Sequence, residues 1–216
     1  LISDDRFARA GRSGAMKQHG FARTLAWRVL ERQPSWVELG LEANDVTRAQ
    51  FPWEFQAALR FELRGSRLQL RFRLSNRDRE ALPFALGYHP YFALRDKAHA
   101  RIDTRATRVF DNVAKQLRAF EGFDLTAREL DLHLLDHGSD SCTLHYPDAG
   151  SLTLRASPEF RVWVVWTLAE RDFVCVEPWT ARGDALNTGE DLLTLAPDAV
   201  HESWIELDAH IAAHRT

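Results

Sequence analysis

The chain has 216 residues, with 28 lysines and arginines against 31 acidic side chains, a formal net charge of -3. Hydrophobic residues make up 45% and charged residues 27%, ordinary globular proportions that exclude a disordered or collagenous chain. Basic residues are scattered, with no cationic patch for nucleic acid, and the longest uncharged stretch, Ala81 to Leu94, is too short and too proline-broken to span a membrane.

The N-terminal segment is charged and lacks an apolar core, so no secretory leader is read in it. Cys142 and Cys175 are too few for a disulfide framework, and free buried thiols in the reducing cytoplasm are expected. Along the chain the dominant signal has a period of two. Trp36 to Leu41 is a strand candidate, and Asn44 to Phe55 has room for a helical turn that Pro52 limits. Ala57 to Leu63 and Arg67 to Leu74 alternate polar and apolar residues around Arg64, Gly65 and Ser66, which predicts a β-hairpin. Further strands are predicted at Ser141 to His145, Ser151 to Leu154, Val162 to Leu168, Phe173 to Val176 and Ser203 to Leu207. Turn signals separate them, such as Pro147 to Gly150 and Ala156 to Pro158. Asp208 to His214 alone has a helix-like pattern. No repeat or linker interrupts the chain, so residues 1–216 read as one all-β domain, a large antiparallel β-sandwich. Phe72, Leu74, Val164 and Trp166 are expected to be buried in it.

Three segments depart from the alternation and can carry chemistry. His19 to Arg23 reads H-G-F-A-R, a turn that can bring an imidazole and a guanidinium to one place. Leu86 to Phe92 sets His89 in an aromatic run, and Pro90 forces the preceding backbone to be extended. Desolvation disfavours the charged imidazole there, which suits proton transfer. Tyr88, Tyr91 and Phe92 serve either as core or as a platform for the apolar face of a sugar. Phe173 to Thr180 ends an apolar strand on Glu177, followed by Pro178 and Trp179. A carboxylate in such a place needs a structural partner or a catalytic task.

Metal ligation is not expected. His133 and His137 are four residues apart, as are His210 and His214, and neither pair has the H-E-x-x-H form. Phosphate-binding glycine loops and the G-x-S-x-G nucleophile elbow are absent as well.

In their order, the H-G-F-A-R, G-Y-H-P-Y-F and E-P-W-T segments resemble the aldose 1-epimerase (galactose mutarotase-like) family. The likeness extends through Phe51 to Trp53, Leu74 to Asn76, Pro83 and Phe84, Leu130 to Leu132, and the run from Ala181 through Asn187 to Gly189 as far as Leu195 to Pro197. The resemblance implies a β-supersandwich and interconversion of the α and β anomers of an aldose, without metal or cofactor. It implies Glu177 as base and His89 as acid, with His19, Arg23 and Asp131 contacting the sugar and Tyr91 and Trp179 as cleft walls. Family members carry several strands before the H-G-F-A-R loop, whereas eighteen residues precede His19 here, so N-terminal strands of the family are expected to be missing. Aldose is the expected small-molecule partner, with neither nucleic acid nor membrane. Three alternatives stay open: a hexose 6-phosphate as substrate, a non-catalytic carbohydrate-binding module, and a glycosidase using Asp131 and Glu177.

Overall fold

The computed structural model describes residues 2–147 and 149–211. Its strands, in chain order, are β1 (Arg6–Arg9), β2 (Arg12–Ala15), β3 (Arg28–Gln33), β4 (Trp36–Glu42), β5 (Phe55–Arg64), β6 (Arg67–Asn76), β7 (Leu82–Phe84), β8 (Tyr91–Ala93) and β9 (Arg101–Asp103). They continue with β10 (Arg108–Asp111), β11 (Gln116–Ala119), β12 (Glu129–Leu134), β13 (Ser141–Tyr146), β14 (Gly150–Ala156), β15 (Val162–Leu168), β16 (Phe173–Trp179), β17 (Leu193–Leu195) and β18 (Val200–Ile211). Helix is limited, among the described residues, to a 3-10 turn at Ser3–Asp5, α1 (Asp45–Arg48) and α2 (Ala185–Thr188). None is long and apolar enough to cross a membrane. The fold is all-β with large antiparallel sheets, as the alternation predicts.

Each predicted strand is present; Val162 to Leu168 has the predicted bounds and the others run beyond their apolar patterns, most of all β18. The helical turn between Asn44 and Phe55 is α1, where the Asn44 side chain accepts from the backbone N–H groups of Val46 and Thr47. It ends at Arg48, before Pro52. The helix-like reading of Asp208 to His214 is corrected. Asp208 to Ile211 continue β18 in register with β14, Thr153 opposite Asp208 and Gly150 opposite Ile211, while 212–216 lie outside the described residues. Ladder hydrogen bonds along β14 outweigh the local helical preference there. The β1–β2 hairpin, preceding His19, escapes the sequence reading because four-residue strands rich in arginine have too short a pattern.

The chain forms two compact units. One comprises Leu1–Arg64, Gln69–Leu86 and Ala181–Trp204. It contains β1 with β2, β7 with β17, and the run β3-β4-β5-β6 followed by the first residues of β18. Its core is aromatic: Phe7, Phe51, Trp53 and Phe55 are buried together with Leu74 and Leu82. Phe72, expected to be buried, is only half-buried against this cluster. Asp78, half-buried, is the most heavily hydrogen-bonded carboxylate among the unit's described residues. It receives Arg12 through both guanidinium nitrogens at 2.8 and 2.9 Å and accepts from the Glu54 and Glu80 backbone N–H groups. These bonds hold its carboxyl well below the usual carboxylate range, the Arg12 hydrogen bond leading.

The second unit comprises Gly65–Leu68, Gly87–Thr180 and Ile205–Thr216. It holds a six-stranded sheet in the order β11-β10-β12-β15-β16-β8, together with the run from the remainder of β18 through β14 and β13 to β9. β15 and β16 lie inside the six-stranded sheet, and both are apolar almost throughout. Trp163 and Val165 are nearly inaccessible, as are Val174 and Val176. Lys97 ties the β15–β16 turn, donating to the Thr167 hydroxyl at 2.8 Å and the Leu168 carbonyl at 2.5 Å. Cys142 and Cys175 are both buried and unbridged, and burial raises both thiols, Cys142 to about 12.

Candidate active site

The register of the six-stranded sheet places the candidate residues. Asp131 on β12 lies opposite Trp166 on β15, Trp166 opposite Cys175 on β16, and Cys175 opposite Tyr91 on β8. One step along, His133 pairs with Val164 and Val164 with Glu177, and the following row sets Val162 against Trp179. Directly paired residues project to the same face, and side chains alternate with a period of two. Asp131, His133, Trp166, Cys175, Glu177, Trp179 and Tyr91 therefore share one face. The other face of the same strands carries buried Leu132, Val165, Val174 and Val176. The strand that delivers the polar group is apolar on its reverse side, which anchors it.

His89 reaches this face from the segment before β8. Gly87 bridges to Trp179, and the Tyr88 N–H donates to the Pro178 carbonyl at 3.1 Å, so the segment runs alongside the end of β16. A side chain at position 87 would meet the Trp179 indole at 2.8 Å, which explains the glycine. The result is a close pair, with His89 Nδ1 3.4 Å from Glu177 Oε1. The two side chains differ in access: 29% of the His89 side chain is exposed but only 2% of Glu177. Around them His89 stacks on Tyr91 with ring centroids 5.0 Å apart and meets Trp166 edge-on at 5.7 Å. Phe173 extends the aromatic wall, 4.9 Å from Tyr91 and 5.1 Å from Trp166. Trp166, expected in the core, is only half-buried because it sits on this face.

Burial pushes the Glu177 carboxyl up to about 8. The Trp179 indole N–H, donating to Oε2 at 3.1 Å, opposes that rise, and the negative charge of Asp131 adds to it. Asp131 moves the other way. Burial pushes its carboxyl up, but hydrogen bonds from His133 and Asn112 outweigh burial and hold it low. The distances are 3.3 Å from His133 Nε2 to Oδ1 and 2.6 Å from Asn112 Nδ2 to Oδ2. One face thus carries a carboxyl that keeps its proton near neutrality and a carboxylate that does not.

His89, Asp131, Glu177, Tyr91 and Trp179 are thus brought together. His19 and Arg23 belong to the other unit, in the turns that follow β2, and both are exposed. His19 has a left-handed backbone, φ 67°, followed by Gly20 at 69°. Sequence reasoning missed Asn112, His133, Trp166 and Phe173 as members of the site. A signal existed for His133: it stands two residues after Asp131 in an alternating strand, so both must point the same way. His137 is not part of the site; its ring bonds to Thr104 and to the Ser141 carbonyl.

Ligand atoms of His89, Cys175 and Glu177 lie within 4.8 Å of one another. Burial holds both the thiol and the carboxyl in their protonated forms, so a cation would have to displace two protons at once. The donor set fits an acid–base pair beside a core thiol better than a metal centre.

A sequence profile of the family described as aldose 1-epimerase matches residues 4–208. A curated relative from Cenchrus ciliaris, provisionally named glucose-6-phosphate 1-epimerase, is 26% identical over 78% of this chain, which spans 60% of that relative's length. Among solved structures, the Slr1438 protein of Synechocystis sp. PCC 6803 is 31% identical with a TM-score of 0.92, covering 96% of this chain and 73% of its own. A galactose mutarotase-like protein from Lactobacillus casei ATCC 334 shares the fold at 22% identity and a TM-score of 0.80, covering 96% of this chain and 81% of its own.

Proposed function

The chain belongs to the aldose 1-epimerase family, and from that premise we propose that it interconverts the α and β anomers of a free aldose by general acid–base catalysis in the cytoplasm. The observation that supports this most is the 3.4 Å approach of His89 Nδ1 to Glu177 Oε1 beside an aromatic wall. Glu177, once ionised, takes the proton of the anomeric hydroxyl while His89 gives one to the ring oxygen. The C1–O5 bond breaks, the aldehyde forms, and rotation about C1–C2 turns its other face toward O5. In reclosure His89 takes the O5 proton and Glu177 returns one to O1, so the pair ends as it began. General acid–base assistance of this kind contributes about 10²–10⁴-fold per group. No covalent intermediate is needed.

Asp131 accepts hydrogen bonds from sugar hydroxyls, and Tyr91 and Trp179 give apolar walls to the ring. Both anomers fit one site because the reacting groups move only at C1. The experiment is polarimetry of freshly dissolved α-D-glucose and α-D-galactose, read against the spontaneous rate. Acceleration is expected; binding without acceleration leaves a carbohydrate-binding module instead. A second reading, a hexose 6-phosphate as substrate, is favoured by the name of the Cenchrus ciliaris relative. The same assay with glucose 6-phosphate decides between them by kcat/KM.

A further inference from the structure

We propose that Asn112 and His133 are positioning residues that pin the Asp131 carboxylate by one oxygen each and leave its outer lone pairs in a fixed orientation for sugar hydroxyls. This rests on the reading of Asp131 as a hydroxyl acceptor and deepens it. An aspartate on an open sheet face can rotate about χ2, because that torsion is broad. Here the two oxygens have different, separately anchored partners. Asn112 Nδ2 donates to Oδ2 at 2.6 Å. Asn112 is itself held at both ends: its backbone N–H donates to the Asp131 carbonyl at 2.8 Å, and its Oδ1 receives Lys115 Nζ at 2.7 Å. His133 Nε2 faces Oδ1 at 3.3 Å. Its ring is buried, edge-on to Phe110 at 6.0 Å and to Trp179 at 5.2 Å.

Each carboxylate oxygen has two lone pairs, so one remains on each after these bonds. The Asp131 side chain is 19% exposed whereas His133 is 9% exposed, so His133 holds it from the buried side and the carboxylate keeps an accessible edge. The same bonds outweigh the effect of burial and keep the group anionic, hence an acceptor only. An oriented acceptor of this kind discriminates against a sugar lacking the matching hydroxyl, because the analogue leaves it unpaired.

The test compares His133→Asn with His133→Gln, and Asn112→Leu with Asp131→Asn as reference. The glutamine amide nitrogen reaches the place of Nε2, while the shorter asparagine does not. The readouts are kcat and KM for D-glucose and D-galactose, the kcat/KM ratio of each to its monodeoxy analogues, and the melting temperature. His133→Asn and Asn112→Leu should raise KM about tenfold with kcat nearly unchanged, as losing a charged hydrogen bond implies. They should also narrow the ratio against the analogue that the wild type rejects most. His133→Gln should return both values to within about threefold of wild type. If Asn112→Leu fails to fold, the Asn/Gln pair at 133 carries the test. Unchanged KM and ratio in His133→Asn, alongside a loss in Asp131→Asn, refute the clamp and leave the function standing. Unchanged values in Asp131→Asn overturn the role of Asp131 and the clamp with it.

Discussion

Replacing Glu177 by glutamine should move activity and stability in opposite directions, and the structure sets the size of both effects. The folded carboxyl is raised from 4.5 to about 8, chiefly by burial. Between those values the unfolded chain is ionised at this site while the folded chain keeps its proton. Stability from this group is therefore fully present below about pH 4.5 and is lost as pH rises through about 8. Each unit corresponds to about 1.4 kcal/mol, so the loss has a ceiling of about 5 kcal/mol. Glutamine has no such charge to bury and can still accept from Trp179. Urea unfolding of both proteins at pH 5, 7 and 9 should show Glu177→Gln gaining on the wild type as pH rises, by several kcal/mol at most. Over the same range the wild-type kcat/KM should climb, since only the ionised carboxylate serves as base. The variant should lose about 10²-fold or more in kcat, about 2.7 kcal/mol of barrier. A stability gap independent of pH, or near-normal turnover in Glu177→Gln, would refute the assignment of Glu177 as a buried base.

His89→Asn should lower kcat by about 10²-fold with little change in melting temperature, because the ring is partly exposed; polarimetry and thermal unfolding check this. Gly87→Ala should drive a methyl group against Trp179 and cost about 1–3 kcal/mol, together with activity, because it displaces the segment that carries His89. Asp78→Asn should cost about 1–3 kcal/mol at pH 7 in urea unfolding, because it removes the carboxylate that takes both Arg12 nitrogens and leaves Arg12 only Glu80, at 3.2 Å, as a carboxylate partner. The Asp78 carboxyl is depressed in the fold, so that cost should shrink as pH falls below about 4 and the wild type loses the same stabilisation.

Period-two alternation made β5, β6 and β14 legible, and an unbroken apolar run did the same for β15. It failed where strands are short or one-sided in exposure. β3 is exposed along its whole length, so Val29 and Leu30 give no face to read. β8 and β9 have three residues each, fewer than two full alternations. His89 and Glu177 stood out in the sequence because each breaks an apolar run, and a polar group in such a run needs a reason. Asn112 offered nothing comparable: asparagine after a strand end is ordinary turn chemistry. Its importance comes from the β10–β12 pairing, which lies beyond local pattern.

Strand pairing also explains how two carboxylates, 46 positions apart in sequence, take different protonation states on one face. Asp131 and Glu177 are separated by two strand spacings and one two-residue step, about 12 Å between Cα atoms at ordinary sheet dimensions. At that distance the Asp131 charge still raises Glu177. Environment then divides the labour. Asn112 and His133 stabilise the charge on Asp131, whereas Glu177 is almost wholly buried, with one indole N–H donating to it and the partly exposed His89 at 3.4 Å. Two like functional groups thus reach different protonation states near neutral pH, the difference that the proposed acceptor and base roles require. The cost of holding Glu177 in that surround falls on β15 and β16, whose reverse face is filled by Trp163, Val165, Val174 and Val176. An apolar strand interior is thus what permits the titration behaviour of the group at its end.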